Sequence, residues 1–121
     1  MHPLVIEGIQ LFNMGKFFEA HEVLETVWLQ ADGEDRVFLH GVIQVAAAFH
    51  HYTRRNQAGF RSLLEKGCRK LESVPDAKQG IDLPGLLAQL QPWRDQFREG
   101  PGHHQALPPL PHIARGYPEV E

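Results

Sequence analysis

Cysteine is nearly absent from this sequence of 121 residues, since Cys68 stands alone. A single cysteine excludes an internal disulfide and is typical of a reducing compartment, so we expect a cytoplasmic protein. Long hydrophobic runs are also missing: the longest, residues 41–49, is interrupted by Gln44 and is far too short to span a bilayer. No signal-peptide pattern opens the chain, so a membrane is not an expected partner.

An excess of basic charge is missing too. The formal net charge is −3, so we expect no nucleic-acid partner. The two signs are nevertheless separated, because residues 1–35 carry seven acids against Lys16 and residues 36–70 carry seven basic groups against Glu65. The two regions could attract each other within the fold, across a homodimer or with a protein partner, or they could simply be solvated faces.

Strand-like alternation and a glycine-rich phosphate loop are not found, whereas apolar residues recur with helical spacing through most of the chain. The sequence therefore predicts an all-α fold, a compact bundle of about five helices built from antiparallel hairpins like those of tetratricopeptide repeats. The third helix is apolar in nearly every direction, so we expect it at the centre. The predicted helices span residues 3–12, 16–30, 35–55, 56–73 and 82–97.

The chain changes character at Gly100, after which prolines become frequent. We expect residues 1–99 to form the helical domain, and residues 100–121 to form an extended tail that packs on it or is partly disordered. Cys68 falls on the apolar stripe of the fourth predicted helix. It is therefore predicted to be a core thiol and not a nucleophile.

The segment from Ala20 to Trp28 places His21, Glu25 and Trp28 on one stripe of the second helix. His21 and Glu25 are four residues apart, which corresponds to about 40° around the helix. We expect both side chains to point inward. An imidazole and a carboxylate are costly to bury together unless they pair, bind a metal or do chemistry.

A second polar stripe, formed by His40, Gln44 and His51, lies on the third helix within about 40°. In an antiparallel hairpin this stripe can face the second helix. The candidate metal ligands are then His21, Glu25 and His51, a competent set for a divalent metal such as zinc, or for iron or manganese. Trp28 and Gln44 would line the site.

Several uses of these two stripes remain open. The first is a metal site, and possible activity as a metal-dependent hydrolase. The second is a non-catalytic helical interaction module, in which His21 donates to Glu25 and Gln44 ties the helices in a structural hydrogen-bond network. Metal-free catalysis and a pocket for a small organic anion, with His21 and His51 as donors, are further alternatives.

The sequence resembles the family catalogued as domain of unknown function 309, a small bacterial and archaeal helical family. The resemblance rests on the HxxxExxW pattern at His21, Glu25 and Trp28, followed by the run from Phe38 to Ala48 and by His51 and Asn56. It covers about residues 4–71 and implies an all-helical fold and metal binding by the HxxxExxW residues. The family usually has glutamine at the position of His40, so His40 is not expected to be an essential ligand. The resemblance implies no particular reaction.

Overall fold

The computed structural model describes residues 2–75, 80–98 and 107–115. These residues form five α-helices, and the predicted all-α fold is confirmed with helix ends shifted by two residues or fewer. No helix within this part of the chain has the length and hydropathy to cross a bilayer. The helices are α1 (Pro3–Asn13), α2 (Phe17–Trp28), α3 (Gly33–Thr53), α4 (Gln57–Glu72) and α5 (Leu83–Arg98).

Tight turns join α1 to α2 and α3 to α4. The first turn contains Gly15 at φ +80°, a left-handed conformation that glycine adopts without a steric penalty. The second contains Arg55 at φ +61° and is followed by Asn56. The Oδ1 atom of Asn56 accepts the backbone N–H of Gly59 at 3.0 Å, which satisfies a free donor at the start of α4. Antiparallel hairpins follow from these two short breaks.

The central position predicted for the third helix is confirmed. α3 buries nine residues and packs against both α2 and α4, while α1 packs on α2 and α5 packs on α4. α3 and α4 approach each other closely because Gly41 and Gly67 face each other: a Cβ atom added to Gly67 would lie 2.9 Å from the carbonyl oxygen of Gly41.

Phe49 joins four helices in the core. Its ring centroid lies 5.4 Å from that of Phe17 on α2, 5.1 Å from that of Phe60 on α4 and 5.1 Å from that of Trp93 on α5. The pairs with Phe60 and Trp93 are edge-to-face, an arrangement that adds stabilisation beyond the buried area. Because Phe17 and Phe49 are both buried, this cluster fixes how α2 sits against α3.

Residues 107–115, the C-terminal strap, contain no helix and lie against α1 and α5. Asn13 holds the strap through two hydrogen bonds to the backbone of Ile113, of 3.0 and 2.7 Å. Gln89 makes two more, of 2.9 and 2.8 Å, to the backbone of His112. Residues 99–106 and 116–121 of the predicted tail lie outside the described residues.

The interface between α4 and α5 contains a charged group and a thiol. The guanidinium of Arg94 is bonded to both oxygens of Glu65 and to Glu72, at 2.8–3.0 Å. The hydrogen bonds from Arg94 lower the pKa of Glu65 below its ordinary value. Cys68 is fully buried nearby, and burial raises the pKa of its thiol to about 12. The prediction that Cys68 is a core thiol is confirmed.

Candidate functional site

The register of the hairpin formed by α2 and α3 is visible in two ring contacts. The Trp28 and His40 rings lie 5.0 Å apart at the end next to the turn, and the Phe18 and His50 rings lie 5.0 Å apart at the other end. The sum of the two residue numbers is the same in both pairs, so both contacts belong to one antiparallel register. In this register Gln44 is level with the middle of α2, so its amide lies between the two ring pairs.

Three polar side-chain atoms along this hairpin are buried without a hydrogen-bond partner. They are Nδ1 of His21, Nε1 of Trp28 and Oε1 of Gln44, and none has a partner within the described part of the chain. We call these three residues the polar row. His21 and Trp28 are seven positions apart, or about 10 Å along the helix axis, so the three residues follow one another along the hairpin and do not surround a single point.

Glu25 does not belong to the polar row. Its side chain is exposed, and the prediction that it points inward with His21 is wrong. The buried face of α2 is formed by Phe17, Ala20 and Leu24. At about 100° per residue, Glu25 lies roughly 100° from the centre of that face. The carboxylate therefore keeps its hydration, which is costly to remove from a charged group.

His51 is engaged with the α3–α4 turn. Its Nδ1 atom lies 3.1 Å from Nδ2 of Asn56, and Oδ1 of Asn56 is occupied by the N–H of Gly59. The Asn56 amide therefore donates to Nδ1 of His51, which places the proton of the neutral ring on Nε2. In this arrangement the lone pair on Nδ1 of His51 already accepts the hydrogen bond from Asn56.

The predicted ligands His21, Glu25 and His51 are not brought together as a metal centre in this conformation. Among residues 2–75, 80–98 and 107–115, no group of three or more His, Cys, Asp or Glu side chains is arranged to hold a metal ion. Metal binding by these residues therefore stays a prediction. Trp28 and Gln44, predicted to line the site, do lie on the facing surfaces of α2 and α3 with unpaired buried atoms.

Arg36 and His40 enclose the Trp28 end of the polar row. The Arg36 guanidinium lies 4.1 Å from the centroid of the Trp28 ring and donates to the carbonyl oxygens of Trp28 and Ala31, at 3.1 and 3.2 Å. Burial, together with the charges of Lys70 and Arg36, lowers the pKa of His40 below its ordinary value. The lowered pKa favours the neutral ring, which packs against the indole of Trp28.

His50 encloses the other end, and the sequence did not reveal it. Its ring packs on Phe18, whose ring lies 5.8 Å from that of His21. Burial and the neighbouring charges of Arg54, His51 and His21, in that order, lower the pKa of His50. One feature of the sequence could have indicated His50: an antiparallel register that pairs Trp28 with His40 also pairs Phe18 with His50.

These features define a class of protein: a stack of α-helical hairpins. Between its second and third helices, the buried polar atoms of the polar row lack hydrogen-bond partners among the described residues. The model of the family described as "Domain of unknown function (DUF309)" matches residues 5–63 of this chain. The resemblance drawn from the sequence is thereby confirmed. The matched segment contains most of α1, all of α2 and α3, the start of α4 and all three residues of the polar row.

Two relatives extend beyond the family match. An "Uncharacterized protein" of Aquifex aeolicus (strain VF5) is 30% identical over 89 residues, which are 73% of this chain and 27% of that protein. The "Uncharacterized protein YpuF" of Bacillus subtilis (strain 168) is 30% identical over 97 residues, which are 78% of this chain and 56% of that protein. The chain thus spans about a quarter of the first relative's length and just over half of the second's.

Proposed function

We propose that this protein binds a small polar molecule along the polar row between α2 and α3. The observation that supports the proposal is the set of three buried polar atoms without a protein partner, on His21, Trp28 and Gln44. Buried polar groups in folded proteins are almost always hydrogen-bonded, so each exception needs an explanation. A bound ligand with its own donors and acceptors would pair with these atoms, as ordered water molecules also would.

The energetic cost of leaving these three atoms unpaired is large compared with the stability of a domain. Each buried polar atom that loses its hydrogen bond costs about 1–3 kcal/mol, so three cost about 3–9 kcal/mol. The whole free energy of unfolding of a domain is only about 5–15 kcal/mol. An occupant that pairs with these atoms would recover a large part of that cost, and the recovered energy would appear as binding affinity.

The atoms of the polar row define the chemistry of the ligand. Nε1 of Trp28 can only donate and Oε1 of Gln44 can only accept, whereas Nδ1 of His21 does either, according to its tautomer. A ligand that pairs with Gln44 and with either neighbour in the polar row must therefore carry a donor, and an acceptor if that neighbour is Trp28. Small amides and hydroxy acids meet this requirement, and the aromatic rings of Phe18 and His40 would flank them.

Thermal unfolding with a panel of small amides and hydroxy acids tests this proposal. A ligand at 100 times its Kd stabilises the folded chain by about 2.7 kcal/mol, so a binding compound raises the melting temperature measurably. Trp28→Phe keeps a ring beside His40 but removes the indole N–H, and we expect it to weaken binding several-fold. Trp93→Phe is the matched control, because the Trp93 N–H is used by the Pro109 carbonyl at 3.1 Å.

An equal loss of affinity in the two tryptophan variants would argue against a ligand at the polar row. So would a panel in which no compound raises the melting temperature. The control variant is expected to lose stability without losing affinity, since its hydrogen bond holds the C-terminal strap. Comparing the melting temperature without ligand and the ligand affinity therefore separates an effect on folding from an effect on binding.

A second candidate function is the binding of a divalent metal such as zinc, with possible metal-dependent hydrolysis. It is supported by the unpaired Nδ1 of His21 and by the Glu25 carboxylate one helical turn later, with Gln44 as a neighbouring oxygen donor. His51 would join them only after releasing Asn56 and turning towards α2. A bound zinc ion would supply an activated water molecule for hydrolysis.

Elemental analysis of protein purified under metal-replete conditions tests the metal candidate. This candidate predicts close to one metal ion per chain in the wild type and a large loss in His21→Ala. His112→Ala on the exposed strap should keep its metal and serves as the control. Wild-type protein without stoichiometric metal would exclude this candidate and leave the small-molecule proposal standing.

The alternative function was a non-catalytic interaction module in which the polar residues form a closed hydrogen-bond network. This alternative is less well supported. That interpretation needs His21 to donate to Glu25 and the Trp28 indole to find an acceptor, yet His21 and Trp28 each retain an unpaired buried nitrogen. A cytoplasmic location, a homodimer, a protein partner and the lack of a nucleic-acid partner stay predictions from the sequence.

A further inference from the structure

A cavity of about 160 Å³ lies between α1 and the C-terminal strap. It shares no residue with the polar row and is partly open to solvent. A cavity of about 150 Å³ with apolar walls accepts a molecule of six carbon atoms such as benzene. The apolar part of its wall consists of Ile6 and Ile9 on α1, Ile81 before α5, and Ile113 on the strap.

Three polar side chains complete the cavity wall. Gln10 and Arg115 are both exposed, and neither side chain is bonded to another residue in the part of the chain that the structure describes. The third polar side chain, that of Asn13, is already used by the backbone of Ile113. The cavity therefore combines an apolar interior with one available cation and one available amide.

We propose that this cavity binds a short aliphatic carboxylate, independently of the polar row. The hydrocarbon chain would occupy the space between the isoleucine side chains, where removal of apolar surface from water favours binding. The carboxylate would pair with the guanidinium of Arg115, whose planar donors match the two oxygens of a carboxylate. Gln10 would donate a further hydrogen bond. The volume limits the ligand to about six carbon atoms.

Isothermal titration of the full chain with sodium hexanoate tests this inference. We expect saturable binding of one hexanoate per chain. Arg115→Gln should weaken it by about fivefold, because the ion pair of a carboxylate with an exposed arginine is partly screened by water. Arg69→Gln, which removes an exposed arginine on α4, is the matched control and should leave hexanoate affinity unchanged. Hexanamide, which has the same shape without the charge, should bind as weakly to the wild type as hexanoate binds to Arg115→Gln.

A cavity-filling variant tests the location of the site. Ile6→Phe places additional volume in the cavity and is expected to abolish hexanoate binding, while circular dichroism confirms that the variant is folded. The inference is overturned if hexanoate does not saturate the wild type, or if Arg115→Gln binds it with unchanged affinity. Retained binding in folded Ile6→Phe would likewise overturn it.

Discussion

Phe49→Ala is expected to lower the free energy of unfolding by about 3–5 kcal/mol. Phe49 is 0% exposed and contacts Phe17, Phe60 and Trp93 from three other helices. Removing the ring creates a cavity that these neighbours cannot fill without moving, and it also removes the aromatic pairs. Because domains are stable by only about 5–15 kcal/mol, urea denaturation should detect this loss as a large fraction of the total.

Phe18→Ala provides the matched control. Phe18 is adjacent to Phe17 in sequence but is 45% exposed. Its ring is half-exposed and packs on His21 and His50, so its replacement should cost about 1 kcal/mol, well below the loss in Phe49→Ala. Similar losses in Phe49→Ala and Phe18→Ala would mean that the aromatic cluster does not organise the core as described.

Gly67→Val is expected to lower the free energy of unfolding by about 3 kcal/mol. A Cβ atom at this position would lie 2.9 Å from the carbonyl oxygen of Gly41 and 3.1 Å from the backbone nitrogen of Val45. Backbone atoms cannot rotate away, so α4 would have to move off α3. The expected loss exceeds the intrinsic difference between valine and glycine in a helix, which is less than about 1 kcal/mol and favours valine.

Ala58→Val on the same helix is the control for this substitution. Ala58 is exposed, so the added methyl groups meet no neighbouring helix and only the small difference in helix propensity remains. Denaturation curves of the two variants should therefore differ by about 2 kcal/mol or more. Equal stability of the two would contradict the close approach of α3 and α4.

The helical fold could be predicted because its signals are local. The apolar residues of α3 point in nearly every direction, which predicted its central place, and the break at Gly15 predicted the end of the first hairpin arm. The bonds of the C-terminal strap could not be predicted in the same way. Asn13 and Ile113 are 100 positions apart, and no local pattern specifies their contact.

The candidate site was predicted in part. His21, Trp28 and Gln44 were identified because they share helical spacing, and they are the residues with unpaired buried atoms. Adjacent helical residues differ by about 100°, so whether His50 or His51 faces α2 depends on how far each helix is rotated. That rotation is set by tertiary packing, above all between Phe17 and Phe49, and packing of this kind cannot be deduced from helical periodicity.

The stability of ligand-free Gln44→Met tests the central claim most directly, with Gln89→Met as its control. Both variants are refolded from denaturant to remove any bound molecule and are then unfolded in urea. We expect Gln44→Met to be at least as stable as the wild type, because it removes an unpaired buried oxygen at nearly constant volume. Gln89→Met should lose about 1–3 kcal/mol with its two bonds to His112. A comparable loss in Gln44→Met would show that its amide oxygen is already paired in the ligand-free protein, and would contradict a binding site at the polar row.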